Sequence, residues 1–311
     1  MSIKMLRFSV VCDILITVFF GGACMSDKKV IITSDSTCDL GAEIIEKFNI
    51  GIMPLGVTLG DKSYRDGVDI TADDIYAYYD ETKVLPKTSA INIAEATDFF
   101  QKYVDEGFSV VHFTISSEMS GTYRNCSLAA EEFDDVYVVD THNLSTGGGL
   151  LVLKAIDMAN EGLSAKEIAE KITDYVPCVD ASFVIDNLEY LHKGGRCSAV
   201  AALGANLLKL KPCITVKNGK MGVEKKYRGK YVDTLKEYVK DRIGDYSDIS
   251  LERVFVTHAG CDPEVVDTIV ALVKETAPFV ELNVTRAGCT ISSHCGANTL
   301  GVLFIRKSPI A

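Results

Sequence analysis

The chain predicts an α/β protein made of two α/β domains, an N-terminal parallel doubly wound sheet and a C-terminal domain with a mixed sheet. Three observations carry this. Apolar runs of strand length alternate with amphipathic helical stretches from residue 30 to about 175, the βαβ rhythm of a parallel sheet. In the second half Asn218-Gly219, between two apolar runs, breaks that rhythm with a strong hairpin signal. At 311 residues and 47% hydrophobic, the chain is long and apolar enough to fill two cores.

The elements follow in order. Val30-Ile31-Ile32-Thr33 is a strand that runs out into Ser34-Asp35-Ser36-Thr37-Cys38-Asp39. Thr71 N-caps a helix reaching Tyr79, and Asn92 with Glu95 three residues on opens another, to Asp105. Val110 to Phe113 is a buried strand, residues 123–133 are the helix after it, and residues 136–140 are the next strand. Helices follow at 147–160, after a glycine run, and after Ser164-Ala165-Lys166-Glu167. The second half supplies a strand at 181–185, an apolar helix at 198–208, and a hairpin of residues 214–217 and 220–223. Strands at 253–258 and 279–285 flank a helix opened by Asp262-Pro263, and a strand at 300–305 closes the chain. The domain boundary falls near residues 174–178, giving domains of residues 28–175 and 176–309.

Residues 1–25 stand apart. Lys4 and Arg7 precede an apolar run from Phe8 to Phe20, and Gly21-Gly22-Ala23-Cys24 follows, as in a signal peptide. Asp13 interrupts that run, which is shorter than the roughly 20 apolar residues of a stable membrane span. A start at Met25, leading directly into the first strand, is the preferred reading and makes the protein cytoplasmic. Ten cysteines scattered without a CxxC pair or zinc spacing suit reduced, buried thiols and predict no metal site. A net charge of -11 argues against nucleic acid as a partner.

The richest segment is Thr114-Ile115-Ser116-Ser117-Glu118-Met119-Ser120-Gly121-Thr122-Tyr123, between a parallel strand and a helix. In open α/β sheets ligands bind in that crevice. Its hydroxyls, with no strong nucleophile–base pair beside them, suit holding a carboxylate or phosphate rather than breaking a bond. Pro86-Lys87-Thr88-Ser89, ahead of the Asn92-capped helix, is a second hydroxyl-bearing segment. Arg196, after Gly194-Gly195, could fork onto an anion. Asp35 and Asp39 lack the Asp-x-Asp spacing that brings two carboxylates to one metal, and capping is their ordinary use. His294 beside Cys295 has no third group to complete a nucleophilic arrangement, so no catalytic residue is assigned. Gly147-Gly148-Gly149 has no Lys after it until Lys154, which favours close helix packing over a phosphate cradle. Lys209, Lys211, Lys217, Lys220, Lys225, Lys226, Arg228 and Lys230, against Glu224 alone, form a basic stretch suited to an acidic partner.

In their order these segments resemble the DegV family of bacterial proteins. The resemblance runs through Ser34-Asp35-Ser36-Thr37-Cys38-Asp39-Leu40, Tyr64-Arg65-Asp66-Gly67-Val68-Asp69-Ile70 and Pro86-Lys87-Thr88-Ser89. It continues through residues 115–123, Leu188-Glu189-Tyr190-Leu191-His192-Lys193-Gly194-Gly195-Arg196, Lys211-Pro212 and His294-Cys295-Gly296. It implies a long-chain fatty acid held between the two domains. It also implies a role as the lipid-binding subunit of a fatty acid kinase, in phospholipid synthesis. The carboxylate would be presented to a separate ATP-using subunit that makes the acyl-phosphate, with no cofactor in this chain. On the family pattern Thr88 and Ser120 bond the carboxylate, with Ser89, Ser117, Arg196 and His294 near it; the charge of the basic stretch makes residues 209–230 the expected docking face for the kinase subunit. The chain departs from the pattern at Ala90-Ile91-Asn92, where Gln-Pro-Ser is usual, and at Ala297-Asn298, where Pro-Gly is usual. The competing readings are a small-molecule kinase or phosphatase using Asp35 and Asp39, and a ligand-free regulator that binds a partner.

Overall fold

The structure, a computed structural model, describes residues 29–198 and 210–310. The expected segment 1–25, and the helix expected at 198–208 apart from Ser198, lie outside the described residues.

The first half contributes strands β1 (Lys29–Asp35), β2 (Gly51–Met53), β3 (Gly56–Leu59), β4 (Lys62–Arg65), β5 (Lys87–Ser89), β6 (Phe108–Thr114) and β7 (Val136–Asp140). Its helices are α1 (Ala42–Phe48), α2 (Ala72–Thr82), α3 (Ile93–Asp105), α4 (Thr122–Ala130), α5 (Thr146–Asn160) and α6 (Ala165–Ile172). A four-stranded sheet in the order β2-β1-β6-β7 is parallel throughout. Alternate residues of its central strands face opposite layers, as the period of a strand requires. Ile31 and Val110 pack with Phe100 and Cys126 of α3 and α4, while Ile32 and Val111 pack with α5 and α6. The sheet is therefore doubly wound, as the apolar rhythm implies. The expected N-caps Thr71, Asn92 and Ser164 each accept from the backbone N–H three residues on.

One sheet was not legible in the sequence. Strands β4-β3-β5 form a small antiparallel sheet, so Thr88 and Ser89 stand on a strand and not in a helix-leading loop. These strands have three or four residues each, too short for alternation to register.

The second half adds β8 (Val179–Asp180), β9 (Ser182–Ile185), β10 (Lys211–Lys217), β11 (Lys220–Tyr227), β12 (Ile249–Ala259), β13 (Glu281–Arg286) and β14 (Thr299–Arg306). They make a mixed sheet in the order β11-β10-β9-β14-β12-β13, with β8 also on β14, and only β12 and β13 run parallel. Asn218 and Gly219 take positive φ values of 50° and 78° in the β10–β11 turn, as a tight hairpin asks. The helices here are α7 (Glu189–Gly194), α8 (Tyr231–Ile243), α9 (Pro263–Thr276) and α10 (Cys289–Cys295). Helices α8 and α9 cover one face of this sheet through Val184, Val256 and Val302.

Its other face meets α5. Phe183, Phe255 and Leu303 belong to the same apolar cluster as Ile32, Val111 and the α5 residues Leu151, Val152 and Ala155. Helix α5 thus lies between the two sheets, buried along most of its length, with Lys154 and Asp157 as its charged positions. Its glycines allow this. A Cβ on Gly149 would stand 2.8 Å from the Cys38 carbonyl oxygen and equally near Leu40. No helix among the described residues is long and apolar enough to cross a membrane, and the cysteines among them are buried thiols.

Candidate functional site

A cavity of about 310 Å³ opens at the carboxyl end of β6, in the crevice a parallel sheet leaves there. Its volume lies at the small end of the range of roughly 300–1,000 Å³ common for ligand sites. Three pieces of structure wall it: the loop after β6, the edge of β5, and helix α10 with the turn after α7. Its polar wall consists of Thr88, Ser89, Ser120, Arg196, Thr290 and His294. Its apolar wall includes Leu55, Ile115, Met119, Leu144, Met221 and Ile291. Leu144, Ile291 and Cys295 also line a second, nearly wholly apolar pocket that reaches Phe183 and Leu303 between α5 and the mixed sheet. Polar groups thus gather at one end, and apolar surface continues inward from it.

The centre of the polar end is a bond between Thr88 Oγ1 and His294 Nε2, 2.8 Å apart, across 206 residues of chain. Burial, with the nearby Arg196 cation, pushes the His294 imidazole down to about 4, so the ring is neutral at neutral pH. It then carries one proton. Its Nδ1 has no partner, and an orphaned acceptor costs less than an orphaned N–H donor. The proton therefore belongs on Nε2, donated to Thr88, which leaves the Thr88 hydroxyl hydrogen free for a ligand oxygen. Gly194 makes the ring's position possible, since a Cβ there would come within 2.8 Å of Nδ1. Gly195, at φ 69°, then turns the chain out of α7.

Ser120 faces the same cavity. Its hydroxyl accepts from the Thr122 amide at 3.2 Å and lies 2.9 Å from the Thr122 hydroxyl, so it serves the first amide of α4 while lining the site. The Arg196 guanidinium, exposed at the rim, donates to the Gly194 carbonyl at 2.8 Å. Thr88, Ser89, Ser120, Arg196 and His294 are thus brought together. Ser117 is not: it is exposed, does not line the cavity, and its amide points at the Asp140 carboxylate, 3.2 Å away. Sequence reasoning passed over Thr290, which sits one turn before His294 on α10 and faces the cavity with it. The turn separation of two polar residues was the available signal, but the segment Cys-Thr-Ile-Ser-Ser-His-Cys reads as a poor helix former.

The buried acids hold this site together from behind. Asp35 accepts from the Ile115 amide at 2.8 Å and from the Thr37 amide and hydroxyl. Burial raises its carboxyl to about 6 against those hydrogen bonds. Asp39 accepts from the Gly288 amide at 2.8 Å and meets the Ser145 hydroxyl at 2.5 Å. Burial raises it further, to about 8. A protonated Asp39 fits these partners, with one oxygen accepting from Gly288 and the other donating to Ser145. Asp66 accepts from the amides of Cys289 and Thr290, at 2.8 and 3.0 Å, and from Ser36. Together Asp39 and Asp66 fix the start of α10, and so the position of His294 opposite Thr88. Neither Asp35 nor Asp39 lines the cavity, and no cluster of metal-ligating residues occurs among the described residues.

The basic stretch is partly spoken for. Lys225 pairs with Asp241 at 2.6 Å and Glu237 at 3.0 Å, Lys220 with Glu118 at 3.2 Å, and Lys211 with Asp186. Lys226, Arg228 and Lys230 are exposed and make no ion pair with a described residue, and Lys209 lies outside the described residues.

Known proteins with this fold can be set beside the chain. Residues 29–307 match the family described as "Uncharacterised protein, DegV family". A DegV domain-containing protein of Clostridium acetobutylicum is 36% identical over 282 residues, covering 90% of this chain and 99% of its own. Among solved structures, a fatty-acid-binding DegV family protein of Thermus thermophilus superposes with a TM-score of 0.82 at 28% identity, covering 89% of this chain and 99% of its own. A stearic acid-binding protein of Eubacterium ventriosum gives 0.76 at 31% identity, with 89% and 98% covered. By sequence, fold and the extent of both, the chain belongs to the DegV family.

Proposed function

We propose that the protein binds a long-chain fatty acid and presents its carboxylate to a separate, ATP-using kinase subunit that forms the acyl-phosphate. The observation that carries this is the polarity of the cavity, with hydroxyls, a neutral imidazole and an arginine at one end and an apolar continuation at the other. Solved relatives described as fatty-acid-binding support the same ligand. On this reading Thr88 and Ser120 hold the carboxylate, and Ser89, Arg196 and His294 surround it. The protein acts in the cytoplasm without a cofactor, and phosphoryl transfer is left to the partner.

Magnitudes divide the labour. Burying a sixteen-carbon tail contributes up to roughly 12 kcal/mol, at ~0.8 per CH₂. One hydrogen bond to a carboxylate contributes about 1.5–3 kcal/mol. The apolar wall therefore supplies affinity, and the hydroxyls fix where the carboxylate stands. Placement matters more for transfer than for binding. Thr88→Ala and Ser120→Ala should each weaken fatty acid binding about tenfold. They should slow acyl-phosphate formation by a partner kinase subunit by a clearly larger factor. Paired binding titrations and acyl-phosphate assays measure both, and an equal loss in the two would oppose the presenting role.

A further inference from the structure

We infer that Thr290 is a further head-group residue, donating an additional hydrogen bond to the carboxylate and so selecting an acid over the alcohol of the same chain. The inference rests on the proposed fatty acid reading and names one of its specificity determinants. Thr290 is 4% exposed, and its Oγ1 has no hydrogen-bond partner among the described residues. A buried hydroxyl without a partner is costly to keep, and a native fold ordinarily matches such groups. Ser293 in the same helix shares the lack of a partner but does not line the cavity, whereas Thr290 does.

Position decides which ligand atom Thr290 meets. Thr290 and His294 are one turn apart and so share a face of α10. The second, apolar pocket, of about 20 Å³, shares Leu144, Ile291 and Cys295 with the cavity, and Thr290 is not among its lining residues. Thr290 therefore belongs to the polar end, opposite the acyl tail. Its backbone cannot drift, because its amide is held by Asp66 at 3.0 Å. The Thr290 Oγ1 is itself buried, so the side chain must rotate about its Cα–Cβ bond to offer the hydroxyl to a ligand oxygen, a change that leaves the helix in place. A carboxylate has two oxygens with four lone pairs, so Thr88 and Ser120 leave room for Thr290 to donate as well. An alcohol has one oxygen, which Thr88 and Ser120 already satisfy.

The test uses the whole protein, stripped of lipid, with a sixteen-carbon acid and the matching alcohol as probes. Thr290→Val keeps the shape and removes the hydroxyl, and Thr290→Ser restores it. Thr290→Val should lose about tenfold in affinity for the acid (about 1.4 kcal/mol) and bind the alcohol unchanged. Thr290→Ser should recover most of the acid affinity. Equal loss for both probes would mean a packing role, and unchanged acid binding would mean no contact; either overturns the inference while leaving the fatty acid reading intact. If the unsubstituted protein bound neither probe, the fatty acid reading itself would fall, and this inference with it. Should Thr290→Val fail to fold, Thr290→Ala reads the same acid-to-alcohol contrast.

Discussion

At the scale of single residues, Asp39 joins stability to the site. Its carboxyl, ordinarily near 3.8, is pushed up to about 8 by burial, so the folded state holds the proton more tightly than the unfolded chain. Its contribution to stability is complete at acid pH and is lost as the pH rises toward about 8, at up to about 1.4 kcal/mol per pH unit. The histidines act elsewhere. His112 and His294 are lowered by burial to about 3 and about 4, so they cost stability only as the pH falls below their ordinary value of 6.5. From about pH 7 to about pH 8, therefore, Asp39 leads the change. Asp39→Asn preserves both hydrogen bonds, its amide donating to Ser145 and its carbonyl accepting from Gly288. Thermal unfolding should show the melting temperature of the natural protein falling across that interval and the variant staying flatter; parallel curves would contradict a protonated Asp39. Ser120 could be placed beside the crevice because a hydroxyl between a strand end and a helix start is a local pattern, whereas Thr88, expected in a helix-leading loop, stands on β5. The partners of Asp39 were not legible, since Gly288 is 249 residues away.

At the scale of elements, the same distance effect decides what could be read. The hairpin of β10 and β11 was visible because Asn218-Gly219 encodes its turn locally. Helix α10 was not, because its capping acid, Asp66, comes from 223 residues earlier and no side chain of its own N-terminus caps it. Helix α8 likewise starts at Lys230 without a side-chain cap. The basic stretch divides by the same geometry. Lys225 is bound to Asp241 and Glu237 on α8, which leaves Lys226, Arg228 and Lys230 as the charges able to steer an acidic partner. Reversing Lys226 and Arg228 to Glu should slow association with the proposed kinase subunit several-fold at low salt, with the loss shrinking as salt screens it. Stopped-flow association across ionic strength checks this, and a rate that ignores both the reversal and the salt would remove the hairpin from the docking surface.

At the scale of the whole molecule, one buried helix joins two sheets. Apolar surface from both sheets converges on α5, and the polar end of the cavity is assembled from β5, the loop after β6 and α10. The alternation of strands and helices announced the parallel sheet, the Asn218-Gly219 hairpin announced the mixed one, and the glycines at 147–149 announced a tightly packed helix. What no local pattern could carry was that His294 would meet Thr88, which depends on two acids from the first half, Asp39 and Asp66, holding a helix from the second. The central claim is that this assembly holds a long-chain fatty acid. Native mass spectrometry of the protein purified from bacterial cells tests it most directly. The account predicts a bound mass equal to one long-chain fatty acid per chain, released on denaturation and identified as a free acid. Protein that emerges without lipid, and fails to take up a long-chain acid when one is offered, would contradict it.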